Sequence, residues 1–190
     1  MVRNIYIVMC LISLNGIAQQ EVYVRSGLLR SSLTFSPSLM LNNTTTNYYL
    51  SGFVEGYLGD NLSLRGESHY LLGADNAELS PYFKNSIRTS FGIQYHQNIK
   101  NFDSYIGFLP SISFSQLNEE FESTGRNTNH FEPSFALKAG ITYYVYKYFN
   151  FFIEMTYYNT TIRILDRING RADELMFSAG LGFNINAKKK

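Results

Sequence analysis

Three histidines, His69, His96 and His130, and one cysteine, Cys10, are the residues of this 190-residue chain best suited to nucleophilic, acid–base or metal chemistry. A hydrolytic site needs a nucleophile, a base and an orienting group within hydrogen-bond reach. Cys10 lies in an apolar run near the start, and no histidine pair has the spacing of zinc ligands. Glu119, Glu120 and Glu122, or Asp75 with Glu78, could gather calcium, but the spacing of an EF-hand loop is absent. These acids read as solvated loop charge, and no metal or cofactor is expected. His130, two residues before Glu132, could join loop serines or aspartates in a lipid-modifying enzyme. No other feature calls for catalysis, so the chain is read as non-enzymatic.

The elements that must position these residues follow from composition and periodicity. Tyr and Phe contribute 15 residues each, there is no Trp, and the formal net charge is +1 with acids and bases scattered. Such a charge distribution gives nucleic acid nothing to bind. Abundant aromatics beside Ser, Thr, Asn and Gly indicate strands and turns. At the start, Arg3, the apolar residues 5–14 and Gly16-Ile17-Ala18 have the layout of a secretion signal cleaved after Ala18. The apolar stretch is half the roughly twenty residues a spanning helix needs. Removing 1–18 takes away the only cysteine, leaving no disulfide.

After residue 20 the period is two. In 62–72, Leu62, Leu64, Gly66, Tyr70 and Leu72 oppose Ser63, Arg65, Glu67 and His69. Residues 87–96 set Ile87, Phe91, Ile93 and Tyr95 against Arg88, Ser90, Gly92, Gln94 and His96. Segments 131–146, 151–163 and 175–185 repeat the scheme, and 31–41, 47–58 and 103–115 do so more weakly, giving eight strands. Pro37 and Pro110 lie inside two of them, where a missing N–H predicts a bulge or strand end. Connections alternate between short (59–61, 98–102, 147–150) and longer (73–84, 118–130, 165–173), with a briefer polar tip at 42–46 in the remaining odd position. Membrane barrels alternate in this way, with short periplasmic turns and longer outer loops, and an even strand count then puts both termini on the periplasmic side.

Periodicity cannot say which face points outward, but amounts can. Eight strands enclose a lumen just wide enough for side chains, too narrow for rows of Phe, Tyr, Leu and Ile on nearly every strand. Those rows are assigned to lipid. The opposite face carries Glu55, Glu67 and Glu154 against Arg65, Arg88 and Lys138, a balanced set suited to a closed polar lumen. Glu55 and Arg65 are equally far from Asp60 in a short turn, so antiparallel pairing sets them opposite one another. His69 and His96 fall at opposite mouths and share no site.

With Ser178-Ala179-Gly180-Leu181-Gly182-Phe183-Asn184-Ile185 the end of the chain resembles the terminal insertion signal, polar-x-Gly-x-x-apolar-x-apolar, of the small outer-membrane β-barrel superfamily, the OmpA/OmpX-like "porin family". Residues 62–67 resemble the third strand of such barrels. Family members end on an aromatic, whereas Ile185 is followed by the tail 186–190. The resemblance implies recognition of Ser178, Gly180, Phe183 and Ile185 by the barrel-insertion machinery and contact with outer-membrane lipids.

The resulting expectation is an all-β protein, an eight-stranded antiparallel up-and-down transmembrane β-barrel of the bacterial outer membrane. It comprises a signal peptide (1–18), a periplasmic lead-in (19–30), the barrel (31–185) and a basic tail (186–190), with a structural or surface-interaction role. The rival is a secreted or periplasmic soluble barrel holding an apolar small molecule, which requires the apolar rows to point inward.

Overall fold

The computed structural model describes residues 26–42, 45–75, 83–117, 129–164 and 168–187. The signal peptide, most of the lead-in, Lys188–Lys190, Glu78 and the acidic group at 119–122 lie outside them. Strands are β1 (Leu28–Met40), β2 (Thr46–Tyr57), β3 (Leu62–Asp75), β4 (Phe83–Ile99), β5 (Phe102–Leu117), β6 (Asn129–Tyr146), β7 (Phe149–Ile164), β8 (Ile168–Arg171) and β9 (Glu174–Asn186). Every pairing is antiparallel, each strand from β1 to β7 pairs with the next, and β9 pairs with both β7 and β1. The eight staves thus close into a barrel, and no described residue is helical. The first stave begins at Leu28, within the stretch read as lead-in.

The segment 165–173, read as a loop, instead holds β8. Pairs from Ile164↔Ile168 to Thr161↔Arg171 and from Tyr158↔Glu174 to Phe149↔Phe183 follow one register, so β8 and β9 are two parts of a single arm laid along β7. Asp173 makes the break. Its Oδ1 accepts the Thr160 amide at 3.2 Å in place of a ladder carbonyl, while its own carbonyl accepts the Leu41 amide at 2.8 Å. A side chain standing in for backbone lets the arm pass from β7 alone to the β7–β1 gap.

Neither proline produces a bulge. Pro37 pairs with Tyr48 on β2, and Pro110 with Phe135 on β6. On the other side of each, pairing stops, between Ser32↔Gly182 and Ser38↔Met176 and between Ser90↔Ser111 and Ile93↔Phe108, then resumes in the same register. The missing N–H opens one ladder locally without displacing the strand. In the β1–β9 gap hydroxyls take over: Ser32 donates to the Leu181 carbonyl at 2.8 Å and Thr34 to the Ala179 carbonyl at 2.6 Å. Gly92 faces the other gap, where a Cβ would meet the Phe108 carbonyl oxygen at 2.1 Å. Lys100 takes φ 58° in the turn between Ile99 and Phe102, as the first central position of a primed turn demands.

Burial is inside out. Ile153, Leu33, Phe91 and Val54 are 71%, 70%, 62% and 62% exposed, and Leu137 and Phe183 also face outward. Arg30, Arg65, Arg88, Glu55 and Glu154 are buried. This inversion is what a lipid solvent selects, and it overturns the soluble rival, whose apolar rows would crowd the centre.

Candidate functional site

The lumen is filled by polar side chains in three tiers. Because successive side chains on a strand alternate in direction, one parity of each stave supplies them all. At the end carrying the short turns, Arg30 of β1 lies 3.5 Å from Glu55 and 3.7 Å from Asp103 and donates to the Thr142 hydroxyl at 2.9 Å. The Tyr57 hydroxyl accepts from Arg30 at 3.0 Å and donates to Asp103 at 2.7 Å. A buried guanidinium with this many partners is compensated; one lacking them would be strongly destabilising.

The middle tier joins Arg65 and Glu67 of β3 to Lys138 of β6 and Glu154 of β7. Arg65 donates to Glu67 at 2.9 Å and to Glu154 at 2.7 Å, and Lys138 reaches the same two carboxylates at 2.8 and 2.9 Å. Tyr105 donates to the second Glu154 oxygen at 2.8 Å. The Arg65 guanidinium lies 3.6 Å from the centre of the Phe53 ring, a cation–π contact in a desolvated setting. Glu55 and Arg65 are ladder partners, as the Asp60 turn requires, and their charged ends are 3.8 Å apart.

Toward the end with the longer connections, Arg88 of β4 pairs with Glu174 of β9 at 3.3 Å and stacks 4.2 Å from the Tyr158 ring centre. Ser38 and Tyr49 also donate to Glu174, at 2.8 and 3.1 Å. Five of the six charges singled out from the sequence, Glu55, Arg65, Glu67, Lys138 and Glu154, therefore meet in one connected set, while Arg88 belongs with Glu174. Sequence reasoning missed Arg30, Asp103 and Glu174 and the lumen tyrosines. Tyr57 shares the parity of Glu55, and Tyr158 that of Glu154, so the signal was present in the alternation.

Ser63, His96 and Asp103 have the spacing of a nucleophile, base and orienter: Ser63 Oγ lies 2.8 Å from His96 Nε2, and His96 Nδ1 lies 3.0 Å from Asp103. The chemistry does not follow. Ser63 donates to Glu55 at 2.7 Å, and Glu55 also lies 3.1 Å from His96 Nε2, so the atom that should accept the serine proton already faces a carboxylate. Ser63 is wholly buried, out of reach of a substrate. His69 belongs to a separate set with Ser51, Glu67 and Tyr158. His130 is half-buried at the start of β6. Among the described residues no three His, Cys, Asp or Glu side chains form a metal-holding group.

The outer surface carries the apolar recesses instead. One of about 700 Å³ lies over Ala139 and Gly140, walled by Phe102, Tyr143, Phe151, Ile153 and Met155. On β9, Ser178 is buried in the lumen, Gly180 is half-buried, and Phe183 and Ile185 face outward.

A family model described as outer membrane protein beta-barrel domain matches residues 7–186. No curated protein matches significantly. Among solved structures, the chain resembles the outer membrane protein OprG from Pseudomonas aeruginosa at TM-score 0.58 and 11% identity, covering 88% of this chain and 100% of that one. It resembles the N-terminal β-barrel domain of Pseudomonas aeruginosa OprF at TM-score 0.54 and 15% identity, covering 84% and 98%. It also resembles Ail, the attachment invasion locus protein of Yersinia pestis, at TM-score 0.52 and 12% identity, covering 84% and 99%.

Proposed function

Because this chain belongs to the outer membrane protein β-barrel family and is a protein of the bacterial outer membrane, we propose that it is a non-enzymatic anchor whose longer connections meet the exterior. The single observation behind this reading is the inverted burial, with arginines inside and isoleucine, leucine and phenylalanine outside. A lumen occupied by salt-bridged side chains favours an anchor over a diffusion pore. The four consecutive strands β4 to β7 span 17, 16, 18 and 16 residues, against about ten for a tilted crossing. Their surplus length supports a raised rim on the side of the longer connections, a place for surface contacts. The relative named for attachment shares the fold at 12% identity, and its name alone assigns no partner here.

On this reading the barrel contacts outer-membrane lipids through its apolar girdle. The insertion machinery recognises the strand bearing Ser178, Gly180, Phe183 and Ile185 as it emerges. Neither nucleic acid nor a cofactor takes part. The test combines two measurements. The folded protein should migrate differently on a denaturing gel before and after boiling, and a cysteine placed at position 124, in the 118–128 connection, should be labelled on intact cells by a membrane-impermeant maleimide. A mature chain that stays soluble without detergent, or labelling that appears only after the outer membrane is permeabilised, would overturn the reading.

A further inference from the structure

On the outward face of β5, β6 and β7, small side chains stand among large ones. The cross-strand row Ile106, Ala139, Met155 and Phe177 has one methyl where its neighbours are bulky, and the next row toward the short turns runs Ser104, Ile141, Ile153 and Ala179. The row after that, Phe102, Tyr143 and Phe151, closes the depression with rings, the first two 4.7 Å apart. This is the recess of about 700 Å³ described above, within the roughly 300–1,000 Å³ of sites that bury a small ligand. Its floor stays low from behind as well: a Cβ at Gly140 would meet the Tyr105 ring at 2.5 Å. The floor is also apolar, because Ser104 donates its hydroxyl to the Gln97 carbonyl at 3.2 Å.

Shape alone selects little, since hydrocarbon bathes the whole wall and lipid tails are as apolar as the side chains they touch. Charge at the rim selects more. Exposed Lys100 lies in the β4–β5 turn and exposed Lys147 in the β6–β7 turn, on either side of the turn-ward end of the recess. The two turns are two strand spacings apart, about 10 Å. Lys147 Nζ stands 5.3 Å from the centre of the Tyr148 ring, in the aromatic belt. Of the acids at this end, Asp103 is buried with Arg30 and His96, and Asp60 lies in the β2–β3 turn, on the side of Lys100 away from the recess. Two cations beside a belt of rings, above an apolar hollow, match a molecule with an anionic head and a hydrocarbon tail.

We propose that the recess, Lys100 and Lys147 together bind one anionic glycerophospholipid, an acyl chain lying over Ala139 and the phosphate between the two ammonium groups. The proposal rests on the outer-membrane reading above, which puts the short turns at the periplasmic leaflet. A zwitterionic headgroup of the same size carries no net charge and gains less from the lysines.

The test uses the folded protein in nonionic detergent micelles, incubated with phosphatidylglycerol or phosphatidylethanolamine and read by native mass spectrometry. Wild type should hold one phosphatidylglycerol about five- to thirtyfold more tightly than phosphatidylethanolamine, and Lys100→Gln combined with Lys147→Gln should bring the two lipids level. Ala139→Phe, which fills the hollow from the lipid side, should weaken phosphatidylglycerol about three- to tenfold with both lysines kept. Should that variant not fold, Ala139→Leu takes its place. A phosphatidylglycerol carrying a diazirine in its acyl chain should crosslink to β6 and β7. Equal affinity of wild type for the two lipids, undiminished binding after filling the hollow, or crosslinks spread evenly over all staves would overturn the site. Heat-modifiable migration is scored in parallel: selectivity lost with migration intact sinks the lipid site alone, whereas migration lost in wild type sinks the reading beneath it.

Discussion

Arg65 of β3 reaches across the lumen to Glu154 of β7, with Nη2 donating to Oε1 at 2.7 Å, although no ladder joins the two strands. The pair braces opposite walls. Glu154 also serves Lys138 and Tyr105, so its loss leaves two cations to share Glu67. Glu154→Ala is expected to destabilise the barrel by about 3–5 kcal/mol in denaturant unfolding from lipid vesicles. Combining it with Arg65→Met should cost less than the two changes summed. Strict additivity would show that the pair is not coupled.

A charge on the lipid face should cost in proportion to depth. Ile153 is 71% exposed on the wall, whereas Leu58, 57% exposed, lies in the turn after β2. Ile153→Arg should lower stability by about 2–4 kcal/mol and Leu58→Arg by about 0–1 kcal/mol, read from the same unfolding experiment. Equal penalties would mean that Ile153 does not face the hydrocarbon.

Gly92 and Gly59 form a controlled comparison. A Cβ at 92 would overlap the Phe108 carbonyl oxygen and lie 2.6 Å from Leu109 Cα, both backbone atoms, whereas a Cβ at 59 meets nothing within 4 Å. Gly92→Ala is therefore expected to cost about 1–3 kcal/mol or more, and Gly59→Ala about 0.5 kcal/mol or less. Thermal midpoints from heat-modified gel migration would rank them.

Asp173 substitutes for a ladder carbonyl, so Asp173→Asn keeps an acceptor while Asp173→Ala does not. The alanine variant should lose about 1–3 kcal/mol and speed hydrogen exchange at the Thr160 amide, while asparagine retains most of the protection. Unchanged Thr160 exchange in the alanine variant would show that the carboxylate is dispensable.

The wall of the barrel is nearly all in the alternation. Leu62, Leu64 and Tyr70 against Arg65, Glu67 and His69 give the faces of β3, and equal distances from Asp60 give the Glu55–Arg65 pairing. Partners across the lumen were not legible, because they depend on how far the staves slide past one another, a stagger that no single turn length reveals. That is why Arg88, set with Arg65 and Lys138 against Glu55, Glu67 and Glu154, meets Glu174 instead. Arg30 escaped notice because the run Arg30-Ser31-Ser32 has no apolar alternation, and Glu174 because the polar stretch before it looked like loop. Pro37 and Pro110 signal a missing donor correctly, but the sequence does not tell that only one neighbouring ladder would feel it.

The first and last staves pair at both ends, from Leu28↔Asn186 to Ser32↔Gly182 and from Ser38↔Met176 to Met40↔Glu174, and the Ala187 amide donates to the Gly27 carbonyl at 2.8 Å. Chain order is therefore arbitrary with respect to the cylinder. A short tether joining residues 27 and 187, with the polypeptide cut between Lys147 and Tyr148, would start synthesis at a different stave while leaving every neighbour relation intact.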